Sequence, residues 1–117
     1  MERADLPSGQ AGLPAEIQFE LDSAAAAQKE GNHGKARVCA RRAVGKAFVM
    51  TEYYTQLIRP VSANESLKLI SDNNGLAPDV RDAARRLSTS VAEAETAQVS
   101  KEPVMDALVI IRALLRE

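Results

Sequence analysis

Apolar residues recur along this chain at steps of three and four, the period of helices rather than strands. Between Pro14 and Glu30 the inward marks are Ile17, Leu21, Ala24, Ala25 and Gln28. Pro14 suits a first helical turn, where its missing N–H is not needed. Glu16 and Glu20 stand near the positive end of that helix, where the dipole favours acids. Gly31-Asn32-His33-Gly34 then stops it, with glycine at the usual exit position. So short a link predicts an antiparallel pair with the next helix.

The second helix is expected to be the longest, from Gly34 to Arg59, with Pro60 ending it. Ala36, Ala40, Ala43, Ala47, Met50, Tyr54 and Leu57 alternate steps of four and three, and Val44, Phe48 and Ile58 widen the stripe. At 1.5 Å per residue this central helix would be roughly 39 Å long. A short third helix follows from Asn64, its cap, to Asn73, with Leu67 and Ile70 inward. Pro78 opens a fourth, carried by Val80, Ala84, Leu87, Val91 and Ala94 to about Ala97. Ser100 is placed to cap a fifth, which tolerates Pro103 in its first turn and carries Val104, Leu108, Ile111 and Leu115. The expected fold is all-α: an up-and-down antiparallel four-helix bundle with one additional short helix. Residues 1–13, with Pro7, Gly9 and Gly12, form a flexible tail, and 14–117 form a single domain. The expected core is Ile17, Leu21, Ala40, Ala43, Ala47, Phe48, Tyr54, Leu67, Ile70, Leu87, Ile111 and Leu115.

Composition sharpens this picture. Twenty of the 117 residues are alanine and four are aromatic (Phe19, Phe48, Tyr53 and Tyr54), a bias toward closely packed helices. A single cysteine excludes an internal disulfide and a multi-cysteine zinc site. A single histidine excludes any mechanism needing two imidazoles in one chain, and no cofactor motif or metal-ligand spacing is present. No apolar run approaches the ~20 residues of a membrane span, and the start of the chain does not read as a secretory signal. The expected compartment is the cytoplasm. Net charge is −1, but it is unevenly spread: −4 over residues 1–30, +5 over 31–50 and −2 over 51–117.

Residues 24–54, AAAAQKEGNHGKARVCARRAVGKAFVMTEYY, carry a further pattern: a polar helix, a Gly-Asn turn and an alanine-rich helix. Gly31, Asn32, Ala36, Ala40, Ala43 and Ala47 resemble the signature of HEPN domains, the higher eukaryotes and prokaryotes nucleotide-binding family, with His33 where an aromatic is common. SLKLISDNNGL and EPVMDALVIIRALLRE resemble that family's short third and closing helices more loosely. The resemblance spans roughly residues 15–116, and about 30 of them carry it well. It implies a four- to five-helix bundle that often forms a homodimer. It also implies a small nucleotidyltransferase-like partner or ribonuclease activity. The ribonuclease members carry Arg followed four to six residues later by His. Here the sole histidine, His33, has only Arg3 before it, so no catalytic residue is carried over.

The strongest local anomaly is the basic stretch of the second helix. Lys35, Arg37, Arg41, Arg42 and Lys46 are candidate phosphate- or nucleotide-binding residues, since guanidinium forks suit phosphate geometry. Their arrangement flanks the alanine seam rather than forming one ridge. Pairing with Glu20, Asp22 and Glu30 of the first helix is the competing use for them. Cys39 reads as a core thiol, Tyr54 as core and Tyr53 as a partner-facing residue. Arg81, Arg85 and Arg86 with Asp79 and Asp82 read as a solvated mixed-sign face. Together these features lead us to expect a non-catalytic module that self-associates and binds a protein partner. The alternative is nucleotide or RNA binding by the basic helix, and ribonuclease activity stands last.

Overall fold

In a computed structural model the chain is described over residues 12–55, 57, 59–88 and 102–115, with backbone alone at 52 and 53. These residues hold helices, turns and bends, and no strand. The helices are α1 (Ala15–Lys29), α2 (His33–Phe48), the single turn α3 (Glu52–Thr55), α4 (Ala63–Ser71), α5 (Pro78–Ser88) and α6 (Pro103–Leu115). The all-α class follows the period of the sequence.

The α1–α2 turn forms as its glycine requires. Gly31 takes φ +82°, the left-handed region that glycine enters without cost. Its N–H donates to the Gln28 carbonyl, and the Asn32 N–H reaches back to that of Ala27 at 2.8 Å, which closes the last carbonyls of α1. The Asn32 side chain then accepts from the Lys35 N–H and starts α2. The two helices run antiparallel, since Glu20 early in α1 pairs with Lys46 late in α2 at 3.2 Å.

α2 is central and packs against α1, α4, α5 and α6. It ends at Phe48, so the expectation of one helix to Arg59 is corrected. Thr51 is the reason. Its hydroxyl donates to the Phe48 carbonyl at 2.6 Å and accepts from the Tyr54 N–H, so it closes α2 and opens α3. Met50, expected in the seam, is 46% exposed, and Tyr54 is only half-buried, edge-on to Phe48 at 6.3 Å. Ala25, expected on the inward side of α1, is exposed, and Leu115 of the expected core is half-buried. The rest of that core holds: Ile17, Leu21, Ala40, Ala43, Ala47, Phe48, Leu67, Ile70, Leu87 and Ile111 are all buried in one cluster. Ala24, Ala36, Val44, Ala83, Ala84, Ala107 and Ile110 are buried as well. Leu13 packs against the cluster from the segment read as tail. The fourth helix is described only to Ser88, so its expected extension to Ala97 and the Ser100 cap lie outside the described residues.

Small residues let α4 cross α2 closely. A Cβ on Gly45 would stand 3.2 Å from the Ala63 Cβ and 3.3 Å from its Cα, tighter than ordinary contact. α4 begins one residue earlier than expected and is capped by Ser62 rather than Asn64, with the Ser62 hydroxyl accepting from the Glu65 N–H. Glu65 also receives both guanidinium nitrogens of Arg59, at 2.6 and 3.2 Å. Those hydrogen bonds first, aided by the charge of Arg59 and the Ser62 N–H and opposed by desolvation, hold the Glu65 carboxyl below its ordinary 4.5. A depressed carboxyl stabilises the fold above its unfolded pKa, and that contribution fades as pH falls through the folded value. A carbon-detected NMR titration should therefore give Glu65 a midpoint below 4.5, and Arg59→Gln should raise it. Identical midpoints in the two proteins would mean that the pair does not persist in solution.

Candidate functional site

The five cations of α2 are divided among three environments. Lys46 is taken by Glu20, an acid only 6% exposed on α1, so one of the acids expected to compete for the basic helix does so. Arg37 and Arg41, four apart, lie on the other flank of the alanine seam. Arg37 is 6% exposed, and burial lowers its pKa. Arg41 donates its Nε to the Leu87 carbonyl of α5 at 2.7 Å. Burial, and next the charge of Arg37, push the Arg41 pKa down. Both remain charged at neutral pH. Lys35 and Arg42, seven apart, are exposed.

His33 is exposed at the first position of α2, and Cys39 is a buried thiol. The Tyr53 side chain lies outside the described residues. The face carrying Arg81, Arg85 and Arg86 is less solvated than expected. Arg85 pairs with Asp82 at the surface, but Arg81 donates to the Ser71 carbonyl at the end of α4. Arg86 reaches across to α6, where it clasps Asp106 with Nη2 at 2.7 Å and Nε at 3.2 Å. Among the described residues, no group of three or more His, Cys, Asp or Glu side chains is placed to hold a metal.

An apolar cavity lies elsewhere. An open groove of about 720 Å³ runs between the outer face of α6 and the start of α5. Leu76, Val80, Met105, Leu108, Val109 and Ala113 make it apolar, and Asp79 and Arg112 supply its charges. A smaller cavity of about 190 Å³, lined by Phe48, Leu57, Leu69 and Ile70, shares Leu76 with it. The groove borders a helix that is apolar over most of its surface. Its thirteen residues include two polar ones, Asp106 and Arg112. Pro103, Asp106, Ala107, Ile110 and Ile111 turn inward. That leaves Met105 54% exposed and Leu108 and Val109 half-buried. The spacing of Val104, Leu108, Ile111 and Leu115 predicts core alone. The signal available was the absence of a polar face, since a helix apolar all round is normally covered on all sides.

Compared with known families, curated proteins and solved structures, the chain matches none. Among the described residues, no helix is long and apolar enough to cross a membrane.

Proposed function

We propose that this chain is a non-catalytic, HEPN-like helical-bundle module that acts by self-association and by binding a protein partner. In this reading α1, α2, α5 and α6 are the up-and-down four-helix bundle and α4 is its additional short helix. The module works in the cytoplasm as a homodimer, beside a partner of the nucleotidyltransferase-like kind that the family resemblance implies. One observation carries the reading: α6 has an apolar outer face and an open apolar groove beside it. Contiguous exposed apolar surface of this kind marks interaction sites in soluble proteins. The division of the basic residues supports it further, because Lys46, Arg41 and Arg86 hold helices together.

Capture of the tagged full chain from native lysate, with and without nuclease treatment, tests this function. The expected result is a stoichiometric protein that survives nuclease. Bound material that disappears with nuclease would favour the alternative, nucleotide or RNA binding by Lys35, Arg37, Arg41, Arg42 and Lys46, of which Lys35 and Arg42 are exposed. That binding would be salt-sensitive, as phosphate contacts are.

A further inference from the structure

We infer that the outer face of α6 is the contact between two copies of this chain, packed antiparallel about a two-fold axis. The inference rests on the self-association reading above and names its surface. Residues 102, 105, 109 and 112 follow one another at steps of three, four and three, so they share one side of α6 and its entry. Along that side the chemistry runs from acid to apolar to base: Glu102, Met105, Val109, Arg112. Glu102 and Arg112 are exposed, as is Met105.

This order is self-complementary when reversed. In an antiparallel α6–α6 pair centred near residue 107, Met105 of each copy meets Val109 of the other, and Arg112 of each meets Glu102 of the other. A two-fold contact uses the same patch on both subunits, so one favourable pair occurs twice. A parallel pair would set like charges against each other. Arg112 has five N–H donors, enough to keep a contact within its own chain and add one across the axis. The groove receives the same side chain. α5 and α6 run antiparallel, because Arg86 late in α5 pairs with Asp106 early in α6. The start of α5 therefore flanks the 109–113 end of α6, where Met105 of the second copy arrives. Methionine is flexible enough to fill such a space and is common at interfaces.

Sedimentation velocity over tens to hundreds of micromolar full-length chain tests this arrangement. The wild type should dimerise, and Met105→Glu should weaken the dimer at least about tenfold by placing a charge in the seam. Glu102→Arg alone and Arg112→Glu alone should each weaken it by a similar factor, since like charges then face each other twice. Mixing those two single variants should restore dimers, because every cross-axis pair is again of opposite sign. Circular dichroism confirms that each variant is folded, and should Met105→Glu fail to fold, the mixing experiment decides. A wild type that stays monomeric throughout overturns the inference, while a partner captured from lysate would still uphold the interaction function. A wild-type dimer indifferent to Met105→Glu and to charge reversal also overturns it, and moves self-association to another face.

Discussion

Ala43→Leu should lower stability by about 2–3 kcal/mol. Against a typical total of about 5–15 kcal/mol this is a large share of the fold. At roughly 4 °C per kcal/mol for a domain of this size, the melting temperature should drop by roughly 8–12 °C. Ala36, Ala40, Ala43 and Ala47 are each 0% exposed and form one stripe along α2. The neighbouring helices approach α2 over that stripe, so three added carbons in a close-packed interior must displace a helix or force an eclipsed side chain. The run Ala24–Ala27 supplies the control within one protein. Ala24 and Ala27 are buried, whereas Ala25 and Ala26 face solvent. Ala24→Leu should behave like Ala43→Leu, and Ala25→Leu should stay within about 0.5 kcal/mol of wild type. Urea denaturation of the three variants measures this, and equal midpoints for Ala43→Leu and Ala25→Leu would mean that the seam is loosely packed.

Those alanines also show what was legible in the sequence. Their four- and three-residue spacing identified the buried side of α2, because the helical period sorts faces without knowledge of the neighbours. The same rule failed where it was extended past Phe48. Met50, Tyr54 and Leu57 keep the rhythm, but Thr51 breaks the hydrogen-bond ladder by bonding the Phe48 carbonyl with its own hydroxyl. Periodicity reports which side an apolar residue would take if the helix continued, not whether it does. Local capping chemistry decides that. At α4 the capping signal is Ser62-x-x-Glu65, and it gives a better start than Asn64.

The surface was less legible, because charged residues do not declare their partners. Five cations within twelve positions of α2 suggested one site, yet they divide between α1, the end of α5 and solvent. That division depends on which helix lies on each flank of the seam, a long-range fact absent from local spacing. The α6 groove was missed for a related reason. An apolar stripe predicts burial, but a helix with apolar residues on all sides has more stripe than one bundle covers. The excess, Met105, Leu108 and Val109, became visible only once the inward face was known to be Pro103, Ala107, Ile110 and Ile111.

The Arg86–Asp106 clasp ties α5 to α6, and its two halves should not cost the same to remove. The Asp106 side chain is 11% exposed and that of Arg86 is 42% exposed. Arg86→Met takes two charge-assisted hydrogen bonds from a carboxylate with little access to water. It should cost about 2 kcal/mol, a value reduced from the fully buried case because the guanidinium is partly solvated. Asp106→Asn keeps the shape and one acceptor, and it leaves behind a cation that reaches solvent. It should cost about 1 kcal/mol. Arg85→Met, which opens only the exposed contact with Asp82, should cost at most about 0.5 kcal/mol. The pH dependence carries a sign as well. Hydrogen bonding to Asp106, opposed by desolvation and aided by the charges of Asp106 and Asp82, raises the Arg86 pKa above its ordinary value. A raised base stabilises the fold below its unfolded pKa, so the arginine's share is present at neutral pH and is lost as pH rises into strong alkali. Urea midpoints at neutral pH should rank wild type first, then Arg85→Met, Asp106→Asn and Arg86→Met. A ranking in which Arg86→Met matches Arg85→Met would make the clasp an ordinary surface pair. The outward set of Met105 and Arg112 would then have to come from the apolar packing of Ala107, Ile110 and Ile111 alone.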